Sequence, residues 1–157
     1  MTYAVELPAD GPADWTEWSA ALALRIRGLA EGEDVVVSLP SLARPHLVRK
    51  SRFLGIIPAV HEDTWPWARV RRDDDHAVAE LVGSESFGGE LLLSDAEEAQ
   101  VDALGWRRPS HDEIEARVWS RWFPDDVAVS GYLPASDAAA AAALVTRTLR
   151  ELFVTDV

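Results

Sequence analysis

The sequence contains no cysteine. That absence removes disulfides, zinc ribbons, iron–sulfur clusters and thiol catalysis, and leaves the redox compartment open. No run approaches the roughly eighteen apolar residues of a membrane-crossing helix. Met1 is followed by Thr2, Tyr3 and Ala4 rather than by a basic segment and an apolar core. A cytoplasmic location with no membrane partner is expected. Basic residues are also scarce: 15 Lys and Arg stand against 27 Asp and Glu, for a net charge of -12. Such a field repels phosphate backbones, so nucleic-acid binding would need a local basic patch. The nearest approach to one, Arg69, Arg71 and Arg72, lies beside Asp73, Asp74 and Asp75, which largely cancel it beyond a Debye length of about 8 Å. No nucleic-acid partner is expected.

Recognisable catalytic motifs are missing too. Gly83, Gly88 and Gly89 match neither the dinucleotide fingerprint nor the phosphate-binding loop, and no Gly-x-Ser-x-Gly occurs. His61 precedes Glu62 and Asp63, His76 follows three aspartates, and His111 precedes Asp112 and Glu113, but no two histidines have the i, i+4 spacing that puts two ligands on one helix face. Acids and histidines at such places are what turns and helix starts favour. No metal, no cofactor and no catalytic residue are expected.

What is present suits a folded protein. With 48% hydrophobic and 27% charged residues among 157, the chain reads as one α+β domain spanning residues 1–157. The run from Tyr3 to Leu7 can dock as a small strand. Asp14, with Glu17 three residues on, predicts a helix over 14–31, with Trp15, Trp18, Leu22, Ile26 and Leu29 on one face and Gly32 at its end. Three consecutive valines in Asp34–Leu39 predict a buried strand stopped by Pro40. A short edge strand near 53–60 is limited by Pro58. The stretches on either side of the three aspartates predict an antiparallel hairpin over about 65–82. Ser94 and Glu97 form a capping box opening a helix over 94–104, which Gly105 closes with Trp106 folded back on Val101. Residues 111–123 fit helical and strand periods alike; the aromatic cluster Trp119, Trp122 and Phe123 before Pro124 favours a strand at about 114–123. Ser136 caps a last helix over 137–153, with Val145, Leu149, Leu152 and Phe153 on one side. The order predicts an antiparallel sheet packed by N-terminal, middle and C-terminal helices, not a doubly wound parallel one.

Tryptophan is unusually abundant, at seven residues. Trp15, Trp18 and Trp106 fall where helix ends meet the core. Trp65 and Trp67 share a strand face by period two, and Trp119 with Trp122 occupies the other aromatic strand. These four either pack into the core or line a groove for a partner, where rigid aromatics bind with little loss of rotamer entropy.

The segments Leu104–Pro109, Val118–Trp122 and Thr146–Val154 together resemble the actinobacterial TY-Chap family, domains similar to type III secretion chaperones and YbjN-like proteins. That family runs from a first helix to a hairpin ending in Ala-Glu, filled here by Ala79 and Glu80. A helix closed by Leu-Gly-Trp-x-x-Pro follows, then a Trp-bearing strand and a C-terminal helix with Thr-Leu-Arg. The likeness covers about residues 65–155. It implies a non-catalytic, peptide-binding chaperone or adaptor whose partner is another protein or peptide, with a homodimer left open. The alternative from another class is an acidic immunity or inhibitor protein that neutralises a basic toxin or enzyme, suggested by charge and small size. A hydrolase would require histidine, carboxylate and serine converging in one pocket.

Overall fold

A computed structural model describes residues 1–49, 51, 54–110, 117–125 and 132–154. Among the described residues, seven strands and three α-helices follow the order β1 (Thr2–Glu6), α1 (Trp15–Arg27), β2 (Asp34–Ser38), β3 (Arg44–Arg49), β4 (Val60–Thr64), β5 (Trp67–Asp73), β6 (His76–Leu81), α2 (Asp95–Leu104), β7 (Trp119–Phe123) and α3 (Ala135–Thr148). The fold is α+β. Five strands make one sheet in the order β1-β2-β5-β6-β7, while β3 and β4 pair separately as an antiparallel arm. Only β1 runs parallel to its neighbour, with Tyr3 opposite Val35; β2, β5, β6 and β7 pair antiparallel.

Strand alternation divides this sheet into two unlike faces. Val35, Val37, Ala68, Val70, Ala77, Ala79, Leu81 and Trp119 share a core with Leu22 and Ile26 of α1, Val101 of α2, and Ala138, Ala141 and Val145 of α3. All three helices therefore stand on that face. Each fully buried aliphatic side chain there contributes about 1.5–3 kcal/mol. The alanines of α3 let it approach α1 closely, because they carry no bulk into the interface. On the opposite face the register aligns Asp34, Arg71, Val78 and Trp122 in one row and Val36, Arg69, Glu80 and Ser120 in the next. Among the described residues no α-helix covers this second face.

Several boundaries differ from the sequence reading. α1 opens on Asp14, whose carboxylate accepts from the amides of Thr16 and Glu17 at 2.9 and 3.1 Å, but it closes at Gly28 rather than continuing to 31. The Glu33 carboxylate takes the Ala30 amide at 2.8 Å, which offers residues 28–33 a turn in place of another helical one and lets Leu29 bury. α3 begins at Ala135, one residue before Ser136, because the Pro134 carbonyl accepts from the amides of Asp137 and Ala138, both at 3.1 Å. It ends in a π-helical turn, Leu149–Phe153. The extended segment before Pro124 begins only at Trp119; residues 114–116 of the expected strand lie outside the described residues. In place of one short strand near 53–60, the arm contributes two, β3 upstream of that range and β4 starting at Val60.

The motif residues in the second half of the chain meet each other. Ser94 and Glu97 form a reciprocal capping box, and Gly105 closes α2 with φ of 104°. Trp106 then turns into the core, where its indole N–H donates to Thr148 Oγ1 at 2.8 Å, and that hydroxyl donates to the Leu144 carbonyl at 2.7 Å. Leu-Gly-Trp and Thr-Leu-Arg are thus two ends of one buried contact.

The loop from β6 to α2 depends on glycine for space. A Cβ on Gly83 would lie 1.6 Å from the Arg117 carbonyl oxygen, a distance no local rotation relieves. Gly83→Ala is expected to cost about 1–3 kcal/mol. Thermal melting checks this, and an unchanged midpoint would show that the backbones can part here.

Candidate functional site

The uncovered sheet face carries a chain of alternating charges. Glu80 is only 8% exposed. Its carboxylate accepts from Arg69 Nε at 2.9 Å and from Arg71 Nε at 3.3 Å, with a further close contact from Arg69 Nη2. Arg71 also donates to Asp73 at 3.0 Å, and Asp34 lies 3.9 Å from Arg69. Cross-strand pairing thus makes Glu80 the main partner of Arg69 and Arg71, while the aspartate turn contributes the Asp73 carboxylate to Arg71 and the Asp74 carbonyl, at 2.9 Å, to Arg72. Arg72 turns away from Glu80 and donates as well to the Leu29 carbonyl, at 2.9 Å. The Glu of the Ala-Glu pair holds the centre of this face.

The four tryptophans singled out in the sequence do not form one surface. Trp119 is fully buried on the helix side, edge-to-face with Phe87 at 5.3 Å, and cannot present a surface to a partner. Trp122 lies on the uncovered face, 37% exposed, with the His76 ring 5.4 Å away and the Arg71 guanidinium 5.8 Å from its centroid. Residues three apart in a strand point to opposite sides, so the spacing of this pair already implied the separation. Trp65 lies in the link between β4 and β5 and is 41% exposed, whereas Trp67 is half-buried at the start of β5. These two come together, because both line a cleft of about 390 Å³ with His46, Val48 and Glu90. A cleft of about 480 Å³, lined by Arg69, Val82, Gly88 and Arg117 among others, adjoins it, sharing His46, Trp67 and Glu90. Between them they make a groove at one end of the uncovered face. A shallower concavity of about 400 Å³ lies between α1 and α3 against Trp15, Ala20, Ala23, Ala139 and Ala143.

Sequence reasoning missed the arm that completes the groove. Arg44 grips Glu97 through two bonds, at 3.0 and 2.8 Å, and donates to the Leu92 carbonyl at 2.6 Å. His46 Nδ1 meets Glu85 Oε1 at 2.7 Å, and Thr64 Oγ1 donates to the Glu90 carbonyl at 2.8 Å. Three anchors therefore seat the arm on the loop that follows β6 and on the first turn of α2. The arm's exposed apolar residues, Leu47, Val48 and Val60, were the available signal, since solvent-facing apolar residues clustered on one element suggest contact with something else.

Electrostatics tune the first turn of α2. Burial pushes the Glu97 carboxyl up, but hydrogen bonds from Arg44 and the Ser94 backbone, with the arginine charge, outweigh it and hold it below its ordinary value. Burial likewise pushes Glu98 up, and the Ser84 and Ser86 hydroxyls and Arg108 bring it below its ordinary value. A carboxyl depressed in the folded state stabilises the fold above its unfolded pKa, and that stability is lost as pH falls through the folded value. Melting temperature is therefore expected to fall on acidification below about pH 4.3, the unperturbed glutamate value. Glu97→Gln is expected to flatten that fall and to cost about 1 kcal/mol at neutral pH. Melting curves over pH 3–7 check both; identical slopes for the two proteins would refute the assignment.

Residues 9–156 match the family described as T3SS (YopN, CesT) and YbjN peptide-binding chaperone 3, or TY-Chap3. The chain belongs to TY-Chap3. Neither the curated proteins nor the solved structures searched gave a match. The TY-Chap3 match extends beyond the stretch on which the resemblance rests and takes in α1. It gives the toxin-neutralising alternative no support, and the family is of a chaperone rather than an enzyme type. In this TY-Chap3 chain, the groove that contains His46 has no serine in its lining among the described residues. None of the described helices is long and apolar enough to cross a membrane.

Proposed function

We propose that this chain is a non-catalytic chaperone or adaptor that holds a segment of a partner polypeptide on the uncovered face of its sheet, seated in the groove beside the β3–β4 arm. One observation carries the reading. All three helices pack on the same side, and the opposite face ends in a groove where the Trp65 and Trp67 indoles and the arm's apolar residues remain reachable. A concave aromatic surface on rigid strands suits a peptide, because the indoles lose little entropy when covered. The family description names peptide-binding chaperones, which agrees. Trp122, at the far side of the same face, extends the surface.

The test separates binding from folding. Trp65→Ala and Trp67→Ala are each expected to weaken a selected peptide or native partner at least tenfold, the range of an interface hot spot. Trp65→Ala should leave the melting temperature within about 2 °C, since a side chain this exposed contributes little to the core. Isothermal titration and melting curves on the same samples measure both quantities. If Trp65 and Trp67 changed stability alone, with affinity unaffected, the groove would not be the binding surface.

A further inference from the structure

Among the described residues, the groove's end against the arm has more negative charge than its surroundings satisfy. Glu62, Asp63 and Glu90 line it beside Trp65 and Trp67. None of these three carboxylates takes part in an ion pair or side-chain hydrogen bond among the described residues, and the nearby Arg44, Arg69 and His46 are engaged with other partners. Arg44 is held by Glu97 and the Leu92 carbonyl. Arg69 is held by Glu80, and the His46 Nδ1 is held by Glu85. The carboxylates do not form a group able to hold a metal ion. Their spread suits a larger organic cation, and aromatic faces attract cations through the ring quadrupole. The cavity of about 390 Å³ is large enough for the end of a long side chain.

From this juxtaposition we infer that the groove takes a lysine or arginine side chain of the partner polypeptide, set against the Trp65 and Trp67 indoles and neutralised by Glu62, Asp63 and Glu90. The inference rests on the peptide-binding reading above and names the chemistry of the segment bound. The net charge of -12 works in the same direction, drawing basic segments towards the protein and raising their association rate at low salt.

The experiment is a selection from a displayed library of random peptides on the full chain, followed by titration of the selected peptides. A recurring Lys or Arg is expected among the binders. Replacing that residue by norleucine, which keeps the apolar stem and removes the charge, should weaken binding about tenfold. The triple variant Glu62→Gln, Asp63→Asn, Glu90→Gln should weaken the same peptides about tenfold and leave their norleucine counterparts unchanged. Its melting temperature should match the parent's, because these exposed carboxylates have no ion-pair partner to lose among the described residues. Selected peptides that bind equally well with norleucine, or that bind the triple variant as tightly as the parent, would overturn the cation assignment while leaving peptide binding intact. A library that yields no binder would overturn both.

Discussion

Trp119→Ala is expected to remove about 3–5 kcal/mol of stability, the largest single loss in this chain. Trp119 is fully buried between the sheet and the loop that carries Phe87, with the Arg108 guanidinium 5.1 Å from its ring centroid. Truncation therefore leaves a cavity that β7, pinned by paired bonds between Arg107 and Ser120 at 2.9 and 3.0 Å, cannot close. The loss is one of packing, because the buried indole N–H has no hydrogen-bond partner among the described residues. Trp119→Phe should therefore recover more than half of it. Urea denaturation read by circular dichroism gives the comparison. At roughly 2–4 °C per kcal/mol for a chain of this size, the alanine variant should melt about 10 °C lower. Trp122→Ala, at an exposed position three residues on, should stay within about 1 kcal/mol. Equal losses at the two positions would contradict the division of β7 between a core face and an open face.

Glu80→Ala is expected to cost about 3 kcal/mol, the lower end for removing one member of a buried ion pair. The lower end applies because Arg69 and Arg71 retain about a third of their side-chain exposure and can turn towards water. Glu80→Gln keeps an acceptor and removes the charge, so about half the loss is expected. A double-mutant cycle with Arg69→Met identifies the source: once the arginine is replaced as well, part of the stability should return, since an unpaired charge costs more than the pair contributes. Additive losses would show that the two side chains act separately. Either variant also disturbs the centre of the uncovered face, so peptide affinity should be measured alongside stability.

Particular residues show how far the sequence could be read. The capping residues Asp14 and Ser94 and the glycine ending at Gly105 were legible because they act within one turn of chain, where spacing is geometry. The α+β class followed from the order of periodic segments. Where α1 stops was not legible, because the side chain of Glu33 decides it from beyond the helix. The charge pattern was half legible. Proximity along the chain suggested that Asp73, Asp74 and Asp75 would cancel the arginines; Asp73 does pair with Arg71, but strand pairing also brought Glu80, eleven residues from Arg69, which the spacing did not announce. The arm was missed because its two strands pair only with each other, and prolines at 45 and 58 obscure the alternation that would announce them. The aromatic reading divided in the same way: Trp65 and Trp67 line one cleft, while Trp119 and Trp122 separate to opposite faces.

The amino-acid sequence by itself determined the element types, the absence of cysteine chemistry, the acidic field and a set of motifs whose order matches a peptide-binding chaperone family. All of these depend on contacts within a few residues or on sums over the whole chain. Only the tertiary structure decided that the helices share one face, that Trp106 meets Thr148, that Glu80 gathers two arginines, and that Trp65 and Trp67 line a groove beside three carboxylates without ion-pair partners among the described residues. Those outcomes turn on strand order and register, which bring together residues from 9 to 53 positions apart, and a period of two or 3.6 along the chain contains no information about which strand becomes the neighbour.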